Sequence, residues 1–231
     1  MTWVLIPGLL SDARVWRPLA EALHGPVLHA DLTRDASIPD MAARLLAETD
    51  GPLIAVGHSL GGRVAMEMAA QAPDRIRALV LVSTGHHPAT EAELPRRESR
   101  IAEGHADMAA LVADWLPPMV ALDRHGDAAL MDDLAAMARG FDAATHERQI
   151  RALMARPDAG ATLPDLRCPV LLVVGDRDGW SPPAQHHGIA ALVPDAEVRV
   201  IPGAGHFLPV ERPAETVAVL TGWLADRGLL T

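Results

Sequence analysis

Lysine and tyrosine are absent from this sequence of 231 residues, cysteine occurs once, and the aromatic residues are two Phe and five Trp. A single cysteine, Cys168, permits no intramolecular disulfide, so the chain is no disulfide-stapled secreted scaffold and suits a reducing compartment. Cys168 reads as a small buried residue at the mouth of a strand rather than as a nucleophile. Nowhere do 18 apolar residues follow one another uninterrupted, so no membrane span is expected. The opening Met1–Gly8 has no basic n-region and too short an apolar run for a signal peptide. A cytoplasmic protein is the expectation. Positive charge is also in short supply: 20 basic residues, all Arg and scattered, stand against 30 acidic ones, a formal net charge of -10. That argues against a general nucleic-acid binder. The missing Lys and Tyr read as compositional bias and carry no mechanism.

What is present is enough apolar material for a core: 49% hydrophobic and 22% charged residues, the balance of a soluble globular domain. Short runs rich in β-branched residues and Leu recur at Thr2–Ile6, Val27–Ala30, Leu53–Val56, Ala78–Val82, Val170–Val174 and Val198–Ile201. They suit strands buried on both faces. Helical patterns lie between them, at Asp12–Leu23, Ile38–Glu48, Leu60–Gln71, Pro183–Leu192 and Pro213–Leu224. This alternation predicts an α/β fold, a doubly wound, mostly parallel sheet of about six strands. From about His86 to Leu163 the alternation breaks. That stretch shows only helical periodicity and holds five of the nine Met residues. It reads as a helical insertion packed over one edge of the sheet, 86–163, with 1–85 and 164–231 forming the core.

The strongest chemical signal is Gly57-His58-Ser59-Leu60-Gly61-Gly62, a G-x-S-x-G pattern directly after one predicted strand and before a predicted helix. A nucleophile on so sharp a turn needs neighbours without side chains, and the helix that follows aims its first amides at the same point. A serine hydroxyl also needs a base, and the base an orienting acid. His206, in the Gly-rich loop Gly203–Phe207 after the last strand, is placed to reach Ser59. His58 is expected to pack beside its strand. The pairs His86-His87 and His186-His187 lack a second ligand at helical spacing and read as solvated loop or helix-face residues, not a metal site. The acid is Asp176 or Asp178, both on the loop leaving Val170–Val174, where parallel sheets bind ligands.

These motifs resemble the α/β-hydrolase fold superfamily over nearly the whole chain. The matching positions are Gly57–Gly62, then Gly175, Asp178 and Pro182, then Gly203, Gly205, His206 and Phe207 with Glu211-Arg212-Pro213 behind them. The resemblance implies Ser59 as nucleophile, His206 as general base and then acid, and Asp178 as its orienter. It makes the amides of Leu60 and Leu9 the oxyanion donors, and 86–163 the cap over the active site. The family usually has His-Gly in the loop after the first strand, where this chain has Pro7-Gly8. Its leading hairpin is expected to be missing, since Thr2 already opens the first core strand. Leu10, Trp115, Met119, Met137 and Phe207 are candidate pocket residues. Arg96, Arg97 and Arg100 could bind a carboxylate if they face that pocket, although solvated helix-surface positions are the commoner fate. The implied activity is hydrolysis of a small, mainly apolar carboxylic ester or lactone, with no metal or organic cofactor and no nucleic-acid or membrane partner. C–C bond hydrolases, haloperoxidases and lyases use similar triads, and a non-catalytic ligand receptor is the rival outside enzymology.

Overall fold

The computed structural model describes residues 1–230. Six strands, β1 (Thr2–Ile6), β2 (Val27–His29), β3 (Leu53–His58), β4 (Ile76–Val82), β5 (Val170–Gly175) and β6 (Ala196–Ile201), form one sheet in the order β2-β1-β3-β4-β5-β6. Every neighbouring pair is parallel. Parallel strands need crossover connections, and these are the helices α1 (Arg17–Ala22), α2 (Ile38–Ala47) and α3 (Leu60–Gln71) in the first half. Between β4 and β5 come α4 (Leu94–Ala106), α5 (Met108–Trp115), α6 (Ala128–Arg139) and α7 (Ala143–Met154), with no strand among them. The chain continues through α8 (Pro183–Ala190), α9 (Leu208–Glu211) and α10 (Pro213–Asp226).

Period-two alternation in the strands builds two cores, one on each face. Trp3, Leu5, Ile54, Val56, Leu171 and Val173 pack on one side, with Leu19 of α1 and Leu220 and Leu224 of α10. Val4, Ile6, Leu53, Ala55, Leu79, Val170 and Leu172 pack on the other, with Met41 and Leu45 of α2, Val64 and Met68 of α3, and Ile189 of α8. The helical segment between β4 and β5 contributes to both clusters, with Ala152 of α7 in the second. Val112, Trp115, Leu134 and Met137 join the first cluster, beside Leu10, Trp16 and Phe207. Strand order reverses between β1 and β3, and in open parallel sheets the ligand crevice lies at the carboxyl ends of the strands at that point. Among the described residues no helix is long and apolar enough to cross a membrane.

Some elements differ from the sequence expectation. Asp12–Leu23 is not one helix: a 3-10 turn, Ala13–Trp16, capped by the Asp12 side chain, precedes α1. Pro18 lacks an N–H and fits only the first turn of an α-helix, so a new helix begins at Arg17. Strands β4 and β6 each start two residues before their apolar runs, at Ile76 and Ala196. Arg77 is exposed at the start of β4, and Glu197 is accommodated in the edge strand β6. Trp223 Nε1 (3.0 Å) and Arg227 (2.6 Å) both donate to the Glu197 carboxylate.

Candidate active site

Strand β3 ends in a turn with little freedom. The Ser59 amide donates to the Val82 carbonyl (2.9 Å), and the Ser59 carbonyl accepts the Thr84 hydroxyl (2.7 Å) and the Gly62 amide (3.0 Å). Between these anchors Ser59 takes φ 54° and ψ -114°. Such a conformation costs an L-residue about 1–3 kcal/mol and persists only where the surroundings enforce it. A Cβ on Gly57 would collide with the Gly61 carbonyl, and one on Gly61 would collide with the Ile6 carbonyl. Only glycine fits at either position.

His206 arrives from the loop after β6. Its Nε2 lies 2.9 Å from Ser59 Oγ, and its Nδ1 lies 2.9 and 3.1 Å from the two carboxylate oxygens of Asp178. An ionised carboxylate only accepts, so Nδ1 carries the ring proton and Nε2 is left to accept from the serine hydroxyl. Burial alone would raise the pKa of Asp178. The neighbouring His206 and the amides of Ser181 (2.8 Å) and Trp180 (2.9 Å) outweigh it and hold the group at about 2. Asp176, the other sequence candidate, is exposed and accepts the Gly203 amide at 2.7 Å, tying the acid loop to the histidine loop.

The histidine loop is clipped on several sides. The His206 amide donates to the Met119 carbonyl (2.8 Å), and the Gly205 and Ala121 amides both donate to Glu211 Oε2 (2.9 Å each). His58 packs beside the strand and donates from Nε2 to the His206 carbonyl at 2.8 Å. Burial, and then His206 next to it, push His58 down to about 3, so this ring stays neutral.

Leu9 and Leu60 both line the cavity over Ser59. With Pro7 in place of the family's histidine, other groups fix the Leu9 loop. Gln149 of α7 accepts the Leu10 amide (3.0 Å) and donates to the Leu32 carbonyl (3.2 Å), while Trp16 Nε1 donates to the Ile6 carbonyl (3.0 Å). Nothing in the sequence marks Gln149 for this position. With the Leu9 amide as the expected oxyanion donor, Gln149→Leu should lower kcat about tenfold to a hundredfold, because loss of a whole donor costs about 10²–10³ and a loosened loop costs less. Steady-state kinetics beside a thermal melt test this, and an unchanged kcat would show that the loop holds itself.

The cavity measures about 330 Å³. Its lining includes Trp115, Met119 and Phe207 together with five arginines, Arg63, Arg96, Arg97, Arg100 and Arg156. Leu10 and Met137 do not line it. Both are buried in the core beneath, Leu10 with a left-handed backbone at φ 50° and Met137 on the buried side of α6. One ring of each histidine pair departs from expectation: His86 and His186 are buried, while His87 and His187 are exposed. His186 accepts the Thr84 amide at 3.1 Å, and burial pushes it down to about 4. Adjacent residues in a helix face different ways, so the pair gives no sign in sequence that one ring is turned inward. Cys168 is buried, which raises its thiol to about 11 and leaves it a poor nucleophile.

Residues 3–219 match the model of the Alpha/beta hydrolase family, and the chain belongs to that family. A pimeloyl-[acyl-carrier protein] methyl ester esterase of Xanthomonas axonopodis pv. citri is 31% identical over 222 residues, 88% of this chain and 87% of that protein. The polyketide synthase ThaQ of Burkholderia thailandensis is 34% identical over 227 residues, 88% of this chain but only 11% of the synthase. Among solved structures, a thermophilic esterase from Thermogutta terrifontis superposes with a TM-score of 0.91 at 24% identity, covering 100% of this chain and 91% of that one. An enol-lactonase from Burkholderia xenovorans LB400 gives 0.87 at 22% identity, covering 97% and 91%.

Proposed function

We propose that the protein is a serine ester hydrolase acting on a small carboxylic ester or lactone through an acyl-enzyme on Ser59. The observation that carries this reading is the line Ser59 Oγ, His206 Nε2, His206 Nδ1, Asp178, with both contacts at 2.9 Å. Ser59 attacks the carbonyl carbon while His206 takes its proton, and the Leu9 and Leu60 amides receive the oxyanion. His206 then gives that proton to the departing alcohol. Water, deprotonated by the same nitrogen, cleaves the acyl-enzyme. Residues 86–163 act as the cap, with Trp115 and Met119 excluding water from the acyl group. The relation to methyl ester esterases favours ester cleavage over C–C cleavage or perhydrolysis.

A p-nitrophenyl ester tests the reading: a burst of p-nitrophenol stoichiometric with enzyme, followed by turnover, is expected. Binding without release would point to a receptor. The pH dependence is a second test. Asp178 stays ionised down to about 2 and His58 stays neutral above about 3, so neither changes charge near neutrality. Only unprotonated Nε2 can accept the serine proton, so kcat/KM should rise with pH along a limb of unit slope. A slope of two would require a second ionisation that this geometry does not supply.

A further inference from the structure

The arginines of the cavity are not equivalent. Arg156 is fully engaged: it donates to the carbonyls of His87 (2.9 Å), Pro88 (3.0 Å) and Leu153 (2.8 Å) and to Glu93 (2.8 Å). Arg97 shares the same Glu93 carboxylate at 3.0 Å. Arg100 is matched by Glu103 and Asp114. Arg63 differs. It is half-buried, it donates to one carbonyl, that of His87 (2.9 Å), and among the described residues no carboxylate pairs with it. Arg96 stacks over the Trp180 ring at 4.8 Å without a carboxylate of its own.

Arg97 and Arg156 thus share one carboxylate, that of Glu93, and Arg63 adds a third guanidinium to the same cavity wall without one, inside a protein whose formal net charge is -10. The excess positive charge is local, and it lines the cavity that holds Ser59. Burial disfavours the charge on Arg63, and Arg156 and Arg97 add repulsion, so its pKa is pushed down. A cation without a carboxylate of its own gains most from an anion that brings its own charge. Arg63 stands one helical turn beyond Ser59, and both residues line the same cavity.

We infer that the substrate is an ester carrying an anionic oxyacid group, a carboxylate or a phosphate, which Arg63 and Arg97 hold while Ser59 attacks the ester carbonyl. This rests on the reading of Ser59 as nucleophile, and it gives the substrate two ends: an apolar stretch against Trp115 and Met119, and an anion at the arginines. The planar fork of a guanidinium matches either oxyacid through paired hydrogen bonds.

The experiment compares kcat/KM for mono-p-nitrophenyl glutarate, a p-nitrophenyl ester ending in a phosphate monoester, and the neutral p-nitrophenyl valerate. One anionic ester should exceed the neutral one by about tenfold to a hundredfold, the range of a charge-assisted hydrogen bond. Whichever anion leads identifies the source. In Arg63→Met that ratio should fall about tenfold, and Arg63→Lys should recover part of it; Arg97→Gln is the second variant, should Arg63→Met fail to fold. Calorimetric titration of Ser59→Ala with glutarate and with inorganic phosphate reads binding without turnover. A ratio near one in the wild type, with no saturable heat from either anion, overturns the inference while leaving ester hydrolysis standing. Failure to turn over any ester sinks the hydrolase reading, and the titration still decides the anion site.

Discussion

Replacing Ser59 with alanine should abolish capture of an organophosphonate and lower kcat by about 10⁴- to 10⁶-fold, the upper figure being the loss for the equivalent serine in subtilisin. The size follows from what remains. Alanine keeps the Cβ and the amide bonded to Val82, so the turn, the helix behind it and the Leu60 amide stay in place. On the proposed mechanism only the oxygen that would form the acyl bond is gone, and water has no comparable position beside His206. Stability should change little, because the strained backbone at φ 54° is enforced by the glycine neighbours and Thr84 rather than by the hydroxyl. Intact-mass spectrometry after phosphonate treatment reads the adduct directly. An adduct that persists in Ser59→Ala, or none in the wild type, places the nucleophile elsewhere.

Asp178→Asn should cost about three to four orders of magnitude in kcat, since the corresponding change in a serine protease costs about 10⁴. The reason lies in how the side chain is held. Oδ1 accepts two backbone amides, from Trp180 and Ser181, so an asparagine will keep its carbonyl oxygen there and turn its NH₂ towards His206. Nδ1 must then accept, the ring proton moves to Nε2, and the ring can no longer take the Ser59 proton. Asp176→Asn keeps a carbonyl oxygen for the Gly203 amide and should cost about tenfold or less, through loop geometry. Circular dichroism and thermal melts on both variants separate unfolding from lost chemistry. A dead Asp176→Asn beside an active Asp178→Asn would reverse the assignment. The stability conferred by the Asp178 carboxylate is present above its ordinary value of 3.8 and disappears only as pH falls through about 2.

The inner strands β1, β3, β4 and β5 are legible in the sequence because burial on both faces writes itself as a short apolar run. The start of the edge strand β6 is not: Ala196-Glu197 reads as loop, since a charged residue is tolerated where one side of the ladder is open. Ser59 and His206 stand out in the sequence because the turn around each carries glycine at fixed offsets, whereas the choice of Asp178 over Asp176 rests on the family resemblance. Gln149 and the Met119 carbonyl are not. One is an ordinary polar residue in a helix, the other a backbone group that any residue supplies, and only the folded chain brings them to the site. The arginines fall between: their presence on α4 is visible, but Arg63 and Arg156 come from other elements and nothing local ties them together.

The attachment of the histidine loop bears on how this enzyme could be re-engineered. Because the His206 amide hangs on Met119, and Glu211 grips both Gly205 and Ala121, the segment around 119–121 is tied mechanically to the histidine loop although it lies among the helices between β4 and β5. A chimera that grafts a foreign insertion at the ends of β4 and β5 would discard those bonds and leave the base loosely mounted. Retaining 119–121 while exchanging the helices on either side would alter the cavity wall without unseating His206.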